Sequence, residues 1–180
     1  VRHAVFEGLR AIYESIEEAI QTEVYVITPP PPGGALITDV SATSGASYAV
    51  DTLTLGTAIF TDRTYTVTAI PAGYEGAVFI RTANDDKGVT ADPFLTFTLT
   101  ANAVVAVAYD ERATQRPAWL DDGSWALTAE TLDVLHGGTT RPRDLYIKGF
   151  PAGVVTLGGN AAPPKSGKAA MYTVIAMPTP

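Results

Sequence analysis

Apolar and polar residues take turns along much of this chain. Tyr65, Val67 and Ala69 alternate with Thr64, Thr66 and Thr68, and Ala77, Phe79 and Arg81 alternate with Val78 and Ile80. Leu95, Phe97 and Leu99 enclose Thr96 and Thr98, and the run Val104 to Tyr109 is apolar throughout. A period of two places one set of side chains on each face of a pleated strand, the mark of a sheet with a buried face. The pattern predicts strands at 36–41, 47–55, 57–60, 64–70, 76–82, 94–100, 103–109, 125–128, 131–135, 144–149, 153–158 and 171–177. Turn residues separate them, as in Pro71-Ala72-Gly73, Asn84 to Gly88, Asp121-Asp122-Gly123, Gly137-Gly138 and Pro151-Ala152-Gly153. Many short strands with no helical period between them predict a mainly β, antiparallel β-sandwich of jelly-roll-like form over residues 35–180.

The first 34 residues follow a different rule. Val5, Leu9, Ile12, Ile16 and Ala19 recur at spacings of three and four, flanked by Phe6, Tyr13 and Ile20 and opposed by Glu7, Arg10, Glu14, Glu17 and Glu18. That is an amphipathic helix. Glu23 to Thr28 reads as a short strand, so residues 1–28 form an assembly segment, and Pro29 to Gly34 a stiff linker. A lone helix of this length is marginal in water, so its apolar stripe needs a partner. The chain's own sandwich is one; neighbouring subunits are the other, favoured by the heptad spacing and the proline spacer. On that second reading Val5, Leu9, Ile12, Ile16, Ile20, Val24 and Val26 are the oligomerisation residues, and the 23–28 strand completes a neighbour's sheet.

Composition narrows the function. Hydrophobic residues make up 46% and charged residues 17%, which excludes a disordered chain. With no cysteine, disulfides, thiolate metal sites and a cysteine nucleophile are all excluded. Twelve basic residues are scattered among nineteen acidic ones, for a net charge of −7, which argues against nucleic acid as a partner. No stretch approaches the roughly 20 apolar residues of a membrane span, and the opening residues lack a secretory-leader pattern.

The chemistry of an enzyme is hard to find. His3 and His136 have no ligand partner at metal spacing, and no serine sits in a Gly-x-Ser-x-Gly elbow. Ser166-Gly167-Lys168 fails as a phosphate loop, because Ala162 replaces the leading glycine and Ala169 the hydroxyl that would hold a metal. Asp85-Asp86 and Asp121-Asp122 have the residue type of a glycosidase pair, but neighbours on a strand point to opposite faces, so they read as turn residues. No cofactor is expected; a calcium ion at Asn84, Asp85 and Asp86 is the one addition the oxygen cluster allows. Aromatic residues remain. Trp119, Trp125 and Tyr74, with Arg81, Asp85 and Asp86 to hydrogen-bond hydroxyls, are the candidate ligand-binding set for a sugar ring. Both tryptophans also suit a core, Trp119 more so beside Leu120.

A longer string of motifs carries a resemblance. Thr61 to Thr66, Phe79 to Lys87, Phe94 to Phe97, Val107 to Arg112, Pro117 to Leu120, Phe150 to Asn160 and Met171 to Ile175 occur in that order. Together they resemble a β-sandwich accessory module attached to secreted bacterial polysaccharide-degrading enzymes and other large extracellular proteins, over about residues 36 to 177. The resemblance implies a non-catalytic domain that binds glycans rather than cutting them, and it assigns no binding residues. The expected function is glycan recognition or adhesion by a module multimerised through its helix, located outside the cell, on a cell surface or on a virion. Its partners are then a polysaccharide and further copies of itself. The alternative is a structural subunit of an extracellular filament or virion, whose sandwich makes subunit contacts.

Overall fold

A computed structural model describes residues 35–167 and 169–179. The helix, strand and linker expected before residue 35, with all seven oligomerisation residues, lie outside the described residues. Within them the strands are β1 (Ile37–Ala42), β2 (Ala49–Thr52), β3 (Thr66–Ala69), β4 (Val78–Arg81), β5 (Leu95–Leu99), β6 (Ala103–Asp110), β7 (Ala113–Gln115), β8 (Ala126–His136), β9 (Thr139–Phe150), β10 (Gly153–Leu157), β11 (Ser166–Gly167) and β12 (Thr173–Pro178). A 3-10 helix, Asn84–Gly88, follows β4. The strands form a seven-stranded sheet in the order β2-β4-β12-β6-β9-β8-β3, a three-stranded sheet β1-β5-β10, and the small pair β11-β7. All the ladders between named strands are antiparallel, as expected for the sandwich.

The alternation explains the smaller sheet. Leu95, Phe97 and Leu99 are buried while Thr96 and Thr98 between them are only half-buried. On β10 their partners Val155 and Leu157 are buried, and Val154, one step out of phase, is 71% exposed. Each such apolar side chain contributes about 1.5–3 kcal/mol on burial, so a one-residue slip of register would turn the whole set outward. Strand β6 instead sits in the middle of the large sheet with both faces covered, which is why it is apolar at consecutive positions.

Three elements depart from the pattern. Residues 57–60 make only isolated bridges, Ala58 with Thr66 and Phe60 with Thr82, rather than a strand. The expected strands at 125–128 and 131–135 are one strand, β8, with an irregularity between Leu127 and Thr131. Its partner β9 begins at Thr139, well before the expected 144, because Gly137 and Gly138 both have positive φ (58° and 80°) and close a two-residue hairpin. The third is the β7–β11 pair, too short to leave a period in the sequence.

Candidate functional site

At the end of the large sheet where β4, β6 and β8 finish, polar side chains fasten the connecting loops. Asp62 accepts hydrogen bonds from the backbone N–H groups of Asn84 (2.8 Å) and Asp85 (2.9 Å), covering the free donors that open the 3-10 helix. Asn160 is fully buried: its Oδ1 accepts from Tyr172 N–H, its Nδ2 donates to Lys87 O, and its carbonyl accepts from the Tyr109 hydroxyl. Asp110, also buried, accepts three bonds from Arg112, two from its guanidinium and one from its backbone N–H, and one from Ala170 N–H at 2.8 Å. Burial alone would raise the Asp110 pKa, but those bonds and the nearby Arg143 outweigh it and hold the carboxyl at about 2. Arg143 is buried too, donating to Met171 O at 2.9 Å with its guanidinium over the Phe60 ring; burial draws its pKa down to about 10, so it stays charged at neutral pH.

These fastenings shape a cleft of about 540 Å³. Arg63 and Tyr65 enter from before β3, Lys87 from the 3-10 helix, Arg112 from the β6–β7 turn, His136 from the end of β8 and Lys165 from the loop before β11. Tyr65 and His136 stack, with ring centroids 4.0 Å apart and planes 24° from parallel. Partial burial, then the charges of Arg112 and Arg143, lower the His136 pKa, so the ring is neutral at neutral pH. Among the described residues no carboxylate lines this cleft.

A second cleft, of about 360 Å³, lies where β6 and β8 begin and β9 ends. Its centre is Trp125, half-buried, with Ser124 and Lys148 beside it and Gly123 and Gly149 leaving room. Lys148 Nζ donates to Ser124 Oγ at 2.9 Å and stands 5.7 Å from the Trp125 ring centroid. Phe150 backs the indole at 5.8 Å, and Trp119 meets it edge-on at 6.2 Å. The run from β6 residue 104 to 110 separates the two clefts by about 20 Å.

The six candidate ligand residues are dispersed. Trp125 is on the open cleft. Trp119 is half-buried behind it, its Nε1 donating to Gly159 O at 3.1 Å and its edge against the buried Tyr172. Tyr74 is only 7% exposed and belongs to the core, so a sugar ring has no access to its face. Asp86 is 8% exposed and accepts from Ser44 (2.8 Å) and Tyr48 (2.9 Å), which makes it a strut between β1, β2 and the 3-10 helix. Asp85 is exposed and pairs with Arg63. Arg81 donates to Phe60 O at 3.1 Å and reaches Asp51. Asp85 and Asp86 thus lie on a 3-10 turn, engaged with different partners. Among the described residues no three His, Cys, Asp or Glu side chains are grouped to hold a metal ion.

Sequence reasoning passed over Lys148 and Ser124, and all six side chains of the cationic cleft. Arg63, Lys87, Arg112 and Lys165 are some 25 to 50 positions apart in sequence, so no basic cluster marks them; only the meeting of strand ends brings them together.

A β-glucuronidase from glycoside hydrolase family 2 matches over 82% of this chain and 15% of its own, at a TM-score of 0.70 and 22% identity. The two share a fold. A glycoside hydrolase family 138 enzyme targeting pectin rhamnogalacturonan II matches over 91% of this chain and 18% of its own, at a TM-score of 0.49 and 18% identity. The chain therefore spans less than a fifth of either enzyme. No family model matches it, and neither does any curated protein.

Proposed function

We propose that this chain is a non-catalytic saccharide-binding module that receives sugar on the Trp125 cleft. The observation that carries the reading is the half-buried indole in an open cleft beside the hydrogen-bonded pair of an ammonium, Lys148, and a hydroxyl, Ser124. An aromatic face suits the C–H face of a sugar ring, and flanking polar groups suit its hydroxyls. The volume falls in the range of ligand pockets, at about 300–1,000 Å³. The shared fold with a stretch of a β-glucuronidase agrees with a module that works beside carbohydrate chemistry.

Hydrolysis of a glycosidic bond needs two carboxyls facing one another across a few ångströms. Among the described residues neither the Trp125 cleft nor the cationic cleft is lined by an Asp or Glu. Multimerisation through the N-terminal stripe would add avidity to weak single sites, and it belongs to the same proposal.

Electrophoresis through gels cast with neutral or acidic polysaccharides tests the reading. The wild-type chain is expected to be retarded by at least one polysaccharide, Trp125→Ala to migrate freely, and a reducing-end assay to stay at background. Free migration of the wild type in every gel, or the release of reducing ends, would overturn it.

A further inference from the structure

The cationic cleft needs its own account, because the Trp125 site lies at the other end of the strands and leaves it unused. The chain as a whole carries a charge of −7, yet Arg63, Lys87, Arg112 and Lys165 converge there with His136, and no carboxylate among the described residues lines the space. Two of the four charges are answered from outside the lining: Asp62 and Asp85 both pair with Arg63, and the buried Asp110 with Arg112. Lys87 and Lys165 form no ion pair among the described residues; the Lys165 ammonium donates only to the Gly167 carbonyl, at 2.7 Å. Arg143, buried with its Nε and Nη2 lacking hydrogen-bond partners among the described residues, adds a further positive charge close to Arg112 and His136. A concave site with uncompensated positive charge in an acidic protein attracts an anion.

We infer that this cleft binds the carboxylate of an acidic sugar, with Lys87 and Lys165 taking the charge and the Tyr65–His136 stack forming the wall beside the ring. The choice of a sugar-borne carboxylate over a free inorganic anion rests on the saccharide-binding reading above. The geometry adds its own argument. A bare oxyanion needs only a small nest of donors, whereas this cleft, at about 540 Å³ with an aromatic wall, has room for a ring as well as its charge. Arg63 and Arg112 are held by Asp85 and Asp110, so they present fixed donors, while the exposed Lys87 and half-buried Lys165 are able to close on the ligand.

The test compares binding of a short oligogalacturonate with its methyl ester, which keeps the ring and removes the charge, by titration calorimetry at low and high salt. The acid is expected to bind at least about tenfold more tightly than the ester, with the difference shrinking in high salt. In the Lys87→Ala/Lys165→Ala variant, whose fold is checked by circular dichroism, that difference is expected to fall to within about twofold; Trp125→Ala, at the other cleft, keeps the preference for the acid. Equal binding of acid and ester overturns the inference and leaves the saccharide-binding reading standing. A preference for the acid that survives in the double lysine variant also overturns it, by placing the anion elsewhere. Binding of sulfate or acetate at the cleft, with neither oligosaccharide bound, overturns both the sugar-borne carboxylate and the saccharide reading.

Discussion

Gly159 sits so close to the carbonyls of Val89 and Ala91 that a Cβ would come within 2.9 Å of Ala91 O and closer still to Val89 O. Backbone cannot give way as a side-chain tip can. Gly159→Ala is therefore expected to cost about 1–3 kcal/mol in urea denaturation, whereas Gly88→Ala, with open space around it, stays within about 0.5 kcal/mol. Gly158 makes the same kind of approach to the Trp119 indole, so Trp119 is a clamp on this turn and its neighbour Trp125 is the one free to meet a ligand. Asp110 yields a prediction with a sign. Its folded pKa of about 2 lies below its ordinary value of 3.8, so its contribution is complete above about pH 4 and lost as the pH falls towards 2. The wild type should lose about 2 kcal/mol across that window, and Asp110→Asn should not. At neutral pH the variant should be less stable by about 3 kcal/mol, since Arg112 and the buried Arg143 lose their counter-charge.

The hairpin of β8 and β9 shows how far the elements were legible. Gly137-Gly138 was readable as a turn, but Pro142 and the polar residues around it hid the start of β9, because Thr139 and Thr140 pair at an exposed end and the buried Arg143 is not apolar. Both glycines adopt positive φ, so Gly137→Ala and Gly138→Ala are each expected to cost about 1–2 kcal/mol by thermal denaturation, while Gly137→Asn is tolerated. Strands β5, β6 and β10 were legible in full outline because their burial follows their alternation or their unbroken apolar run. Strands β7 and β11 were not, being three and two residues long and held by register rather than by a buried face. The 3-10 helix was read only as a turn, since its stability comes from Asp62, some twenty residues earlier.

At the scale of the molecule, clefts of opposite character lie at the two ends of β6, β8 and β9 among the described residues: one aromatic around Trp125, one cationic around Lys87 and Lys165. Trp125 was visible in the sequence as an aromatic residue beside a glycine turn, whereas the cationic cleft was not, because topology alone assembles it. On the proposed reading, a long acidic polysaccharide would engage both ends, with ring stacking at one and charge at the other. The chain has two tryptophans, which gives a direct readout of the central claim. In an isotope-labelled sample each contributes one indole N–H resonance; the Trp119 signal, bonded to Gly159 O, reports the fold, and the Trp125 signal reports the cleft. On titration with an oligosaccharide that retards the protein, the Trp125 resonance is expected to move progressively and by the larger amount while the Trp119 resonance keeps nearly its place. A Trp125 resonance that stays still while the sugar binds would contradict the account.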